Sequence, residues 1–124
     1  MEQLPGELVI RVTAMPTDLN PYGGVFGGWI MSQLALGASS LVTRRTGAKA
    51  VVVGATDFTF PAAMAVGDEL SVYAEVARTG RTSITVAARG VARARAGEQL
   101  IEVGSGQFTF VALDDNDRPQ PISS

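Results

Sequence analysis

Apolar and polar residues change their period twice along the chain. In residues 7–14, Leu8, Ile10 and Val12 alternate with Val9, Arg11 and Thr13, which predicts a first strand closed by Pro16. A turn-rich loop, MPTDLNPYGG, follows, where Asp18, Asn20, Pro21, Gly23 and Gly24 favour turns or positive φ. Over residues 25–46 the apolar positions Trp29, Ile30, Leu34, Leu41 and Val42 fall at helical spacings, with Gly37, Ala38, Ser39 and Ser40 between them. Arg44, Arg45 and Gly47 then supply the cations and the glycine that suit a helix C-terminus. From there the period is strand-like: residues 49–60, 68–78, 81–92 and 99–113 read as four strands, with short hairpin signals at Thr79-Gly80 and Ala96-Gly97. One strand, one long helix and four strands predict an α+β fold with the helix on one face of a five-stranded, mostly antiparallel sheet.

Length agrees with a single domain over residues 1–124, with 114–124 as an extended, solvated tail. A helix of about 22 residues is roughly 30 Å long but only about 10 Å wide, whereas five strands span roughly 24 Å. The helix therefore leaves sheet uncovered. Val51-Val52-Val53, Ile101 and Val103 look too apolar for water, so a homo-oligomer is expected.

Composition narrows the chemistry. The chain has no cysteine and no histidine, which excludes a disulfide scaffold and thiolate metal sites and removes the commonest general base. Carboxylates, hydroxyls, amides, Arg and water remain, and neither a metal nor a cofactor is expected. Ten basic against twelve acidic residues give a net charge of -2, without the basic excess of a nucleic-acid footprint. No apolar run is long enough for a membrane span, and no secretory signal is evident, so a cytoplasmic protein is expected.

Four blocks carry a resemblance: AMPTDLNPYGGVFGGWIMSQL, AVGDELSVYAEV, TGRTSI and FTFVALDDNDRPQPI. In order and spacing they closely resemble the YciA-type bacterial acyl-CoA thioesterases of the hot dog fold, over nearly the whole chain. The resemblance implies strands wrapped around a central helix, a homodimer that can grow to a tetramer or hexamer, and acyl-CoA hydrolysed at the subunit interface. It implies substrate contacts at Phe26 and Gly27 and a catalytic role for Gly28, where helix-terminal N–H groups can meet a thioester oxyanion. It also implies contacts between CoA and Arg78, Gly80, Arg81, Thr82 and Ser83, and a catalytic role for Asn20. Read alone, the glycines equally suit helix-on-sheet packing, and RTGRTS suits a solvated hairpin. Arg93 and Arg95 read as surface charge.

The family's helix Asp lies seven residues after the second glycine of FGG; here that position is Ala35. Gly24 and Pro61-Ala62-Ala63 are further departures from the family pattern. Three readings stay open: a substituted alanine in an otherwise intact site, a carboxylate recruited from elsewhere, or acyl-CoA binding without hydrolysis. Among recruited carboxylates Asp57 leads, as a strand residue from the partner subunit facing the helix N-terminus, and Asp18 follows. Their bland readings are a strand-edge carboxylate and a turn-forming Asx residue. Ser32, Gln33 and Ser39 lack an activating base, which argues against a serine nucleophile.

Overall fold

The computed structural model describes residues 6–122. Its elements run β1 (Glu7–Thr13), a 3₁₀ turn (Pro16–Asp18), α1 (Gly27–Thr46), β2 (Lys49–Thr59), β3 (Glu69–Thr79), β4 (Ser83–Arg93) and β5 (Leu100–Leu113). The sheet order is β1-β3-β4-β5-β2, and every neighbouring pair is antiparallel. The α+β expectation, with one long helix across a five-stranded sheet, is met.

α1 begins two residues later than the periodicity suggests, because Val25 is used otherwise. Its N–H donates to the Met64 carbonyl (2.9 Å), and it bridges to Leu19. At the other end Gly47 takes φ +65°, the left-handed cap expected after Arg44 and Arg45. Ile30, Leu34, Ala38, Leu41 and Val42 point into the sheet and meet Leu70, Val72, Val86, Phe108 and Phe110. Small residues make this seat close. A Cβ on Gly37 would lie 2.6 Å from Val9 Cγ2, and one on Gly104 would lie 2.9 Å from Ile30 Cγ2.

β2 forms one edge of the sheet and has no strand on its far side. Val51, Val52 and Val53 there are 45%, 52% and 60% exposed, which leaves an apolar edge in the protomer. Two register shifts interrupt its pairing with β5, one between Val52 and Gly54 and one between Thr56 and Thr59.

The chain after β5 does not run off as a solvated tail. Asp114 Oδ1 accepts from the N–H groups of Asn116 (2.8 Å) and Arg118 (3.0 Å), which turns the chain back along β5. Gln120 N–H then donates to Ala112 O and Ile122 N–H to Arg81 O, both at 2.9 Å. The Ile122 side chain packs against the core.

Gly37→Val should overpack the contact with Val9 and cost at least about 2 kcal/mol in denaturant unfolding, with Val9→Ala in the same chain restoring part of the loss. Unchanged stability in the single variant would contradict this packing.

Candidate functional site

The N-terminus of α1 is unusually bare. Phe26, the N-cap, makes no side-chain capping bond, and the first turn holds no acidic residue. Trp29 and Ile30 N–H groups both reach the Phe26 carbonyl, at 3.0 and 3.3 Å. The Gly27 and Gly28 N–H groups have no backbone acceptor among the described residues. Two aligned donors at the positive end of a 20-residue helix form an anion-binding site by geometry and by dipole.

The two glycines do different work. A Cβ on Gly28 would lie 2.4 Å from Phe26 Cε2, so the Phe26 ring already fills that space. At Gly27 the nearest atom, Phe60 Cε1, is 3.9 Å away. The backbone at Gly27 is therefore open, whereas at Gly28 the missing side chain makes room for the Phe26 ring.

A cleft flanks each side of this helix end. One, of about 320 Å³, is lined by Thr17, Asp18, Leu19, Phe26, Gly28 and Trp29. The other, of about 340 Å³, is walled by Ile30, Phe60, Ala62 and Met64 beside Gly27. This second, apolar wall was missed from sequence. Its only signal was the FTFPAAM run, which continues apolar past Pro61.

Asp18 is the one carboxylate lining either cleft in the protomer. Its Oδ2 accepts from Met15 N–H (2.8 Å), three residues back, which caps the 3₁₀ turn from its N3 position rather than forming an Asx turn, and its main-chain carbonyl accepts from Phe26 N–H (2.8 Å). One residue thus secures the turn and ties it to the helix cap. Asn20 organises the rest of the loop, with Oδ1 accepting from Tyr22 N–H (2.7 Å) and Gly24 N–H (3.3 Å).

The Arg81 turn lies far from these groups. Gly80 N–H donates to Ser83 O (2.8 Å), and Thr82 O accepts from Ala112 N–H (3.0 Å), so Thr82 and Ser83 are fixed in the hairpin between β3 and β4. Ser83 pairs with Val111, and Leu113 pairs with Lys49, which follows the C-terminus of α1. Gly27 instead neighbours Phe60, just beyond the other end of β2. With α1 roughly 30 Å long, the helix N-terminus and the Arg81 turn occupy opposite ends of one protomer. Arg78 and Arg81 are exposed and make no ion pair among the described residues. Arg93 sits at the opposite end of β4, where it pairs with Glu69 and donates to the Gly97 carbonyl at 2.8 Å, a structural role.

Asp57 lies apart from the helix N-terminus within the protomer. It takes φ +60° in the second irregularity of β2. It lines a cavity of about 250 Å³ with Tyr73, Glu75, Arg89, Ser105 and Gln107, on the sheet face away from α1. Phe58, its neighbour, takes the helix-facing side and packs edge-on against Phe108. Asp57 lines neither cleft beside Gly27 and Gly28 in the same protomer.

Comparison with known proteins decides the family. The sequence model of the thioesterase superfamily matches residues 22–98. The chain belongs to the thioesterase superfamily. It is 45% identical over 114 residues to the uncharacterized acyl-CoA thioester hydrolase ZMO0511 of Zymomonas mobilis, spanning 92% of this chain and 76% of that one. To the acyl-CoA thioester hydrolase YciA of Salmonella typhimurium it is 36% identical over 126 residues, covering 98% and 95% of the two chains. Among solved structures, the hexameric thioesterase y2039 from Yersinia pestis superposes with a TM-score of 0.93 at 36% identity, over 98% and 99% of the chains. The hexameric hotdog fold thioesterase Cj0915 of Campylobacter jejuni gives 0.88 at 32% identity, over 95% and 91%.

Within this thioesterase chain Ala35 is half-buried against the core on α1 and brings no polar group to the site. Ser32 Oγ donates to the Trp29 carbonyl (2.9 Å), a helix back-bond that leaves it no catalytic geometry. No helix among the described residues is long and apolar enough to cross a membrane.

If Asn20 acts through its turn, Asn20→Asp, which keeps the acceptor, should hold the melting temperature near that of the parent, whereas Asn20→Ala should cost about 1 kcal/mol. Equal stability of the two variants in thermal unfolding would contradict this role.

Proposed function

We propose that this chain hydrolyses acyl-CoA thioesters to free CoA and a carboxylic acid, in a site shared by two subunits. The observation that carries the reading is the bare helix N-terminus, with the Gly27 and Gly28 N–H groups free between two clefts. Family membership supports it, because the relatives named above are acyl-CoA thioester hydrolases.

A thioester carbonyl seated over the helix N-terminus would place its oxygen on the Gly27 and Gly28 N–H groups. Water adds to the carbonyl carbon and its proton passes to a carboxylate; the negative charge gathers on the oxygen, where fixed donors and the helix dipole stabilise it. Collapse of the tetrahedral species breaks the C–S bond and releases the CoA thiolate, which takes up a proton. Asp18 is assigned as the carboxylate, since it lines the Gly28 cleft and keeps a second oxygen beyond the Met15 contact. Phe26, folded over Gly28, forms one wall of that cleft.

The nucleotide half needs cations, and Arg78 and Arg81 carry them at the wrong end of the same protomer. The apolar β2 edge supplies the remedy. Pairing two β2 edges antiparallel about a twofold axis would reverse the partner's helix, bringing its Arg81 turn toward this chain's Gly27. A homodimer is therefore the minimal functional unit, and hexamers, as in the Yersinia and Campylobacter relatives, would be built from such dimers. Cytoplasmic location remains part of the proposal.

A second reading, binding of acyl-CoA without cleavage, rests on the resemblance alone, which puts the family's helix carboxylate at the position of Ala35. Steady-state hydrolysis of short and long acyl-CoAs, followed by thiol release, separates the two. The parent should turn over, Asp18→Asn should lower kcat at least about a hundredfold, and Asp57→Asn should stay within about twofold. An inactive parent rescued by Ala35→Asp would establish the binder instead.

A further inference from the structure

The return of the chain after β5 reaches the Arg81 turn, and the assembly of this contact is specific. The carboxylate of Asp114 turns the chain by accepting from Asn116 and Arg118 N–H groups, and the Asp114 N–H closes the loop on the Arg118 carbonyl (2.8 Å). An ion pair from Lys49 to Asp117 fastens the loop to the start of β2, and the hydrogen bond that Lys49 donates to Asp117 raises the pKa of its ammonium above the ordinary lysine value. Beyond it, Ile122 packs its half-buried side chain against the core and donates its N–H to the Arg81 carbonyl at 2.9 Å. Ala112, whose carbonyl receives Gln120, donates its own N–H to Thr82 O. The turn is therefore held from two sides at consecutive residues, Arg81 and Thr82, by strand β5 and by the returning chain.

A hairpin tip with an exposed arginine is ordinarily mobile, and ordering a long side chain on a phosphate has an entropic cost that a fixed backbone lessens. We infer that residues 114–122 are a strut that positions the Arg81 turn for the nucleotide end of CoA, with Ile122 as the positioning residue. The inference rests on the acyl-CoA reading above and adds to it a segment that makes no contact with the reacting thioester. The strut touches only the nucleotide end of the proposed site, so its effect must depend on whether the substrate carries a nucleotide.

Ile122→Pro removes the N–H while keeping an apolar side chain, and Ile122→Val keeps both. Each is compared with the parent for CoA affinity by calorimetry, for KM and kcat with an acyl-CoA, and for kcat/KM with the matching acyl-pantetheine. Loss of one hydrogen bond should weaken CoA binding and raise the acyl-CoA KM roughly three- to tenfold in Ile122→Pro. Its kcat and its acyl-pantetheine turnover should remain at parent values, and Ile122→Val should match the parent throughout. Equal loss with acyl-CoA and acyl-pantetheine would show a general structural defect and overturn the inference. So would unchanged CoA affinity in Ile122→Pro, and a chain truncated after Pro119 that binds CoA like the parent would do the same even if the proline variant fails to fold. A parent chain that binds no CoA would overturn the acyl-CoA reading itself, and the inference with it.

Discussion

The close seat of α1 on the sheet is the constraint from which the rest of the molecule follows. A helix can lie this near the strands only where side chains are missing at the crossing points. Gly37 on the helix and Gly90 and Gly104 on the sheet provide the gaps: a Cβ on Gly90 would lie 3.1 Å from Leu70 and 3.4 Å from Leu34. Interiors are packed without slack, so these absences fix the height of the helix as firmly as the large residues fix its rotation. Seated there, α1 presents its first turn between Phe60 on one side and the Asp18 turn on the other. The donors at that turn stay free because the chain enters the helix in an extended conformation from Phe26, with no side chain available to cap it.

The same seat divides the proposed site. A helix laid along the strands has its positive end at one edge of the protomer and the β3–β4 hairpin at the other, and no local rearrangement brings the two together. Twofold symmetry does so without any change within the chain, because an antiparallel partner presents its opposite end. On the proposed pairing, the exposed valines of β2 would serve more than association. They would set the distance between the donors that would hold the thioester oxygen and the arginines that would hold the phosphates.

Much of the fold was legible in the sequence, since the period changes from strand to helix after the MPTDLNPYGG loop and back to strand after Gly47. The glycines and the Arg81 hairpin were legible through FGGW and GRTS. Which face a β2 residue occupies was not. Strict alternation assumes an unbroken register, whereas β2 carries two irregularities that each insert a residue, and Asp57 sits in the second of them with a positive φ. The place of the Phe26 ring was not legible either, because nothing in a sequence says that a ring folds back over the glycine two positions on. The C-terminal segment misled for a different reason. DDNDRPQPI has the composition of a solvated end, but the Asp and Asn side chains that favour solvent also build turns, and here Asp114 builds one.

The claim on which the account stands is that one working site draws on two chains. Mixing two defective proteins tests it directly: Asp18→Asn chains, damaged at the helix end, and Arg81→Ala chains, damaged at the nucleotide end, are unfolded together, refolded and assayed at subsaturating acyl-CoA. Random pairing should restore about a quarter of the parent activity, because half of the dimers are mixed and each mixed dimer holds one undamaged site. Activity no higher than the average of the two separate proteins would mean that no site combines Asp18 of one chain with Arg81 of another, and would contradict the account.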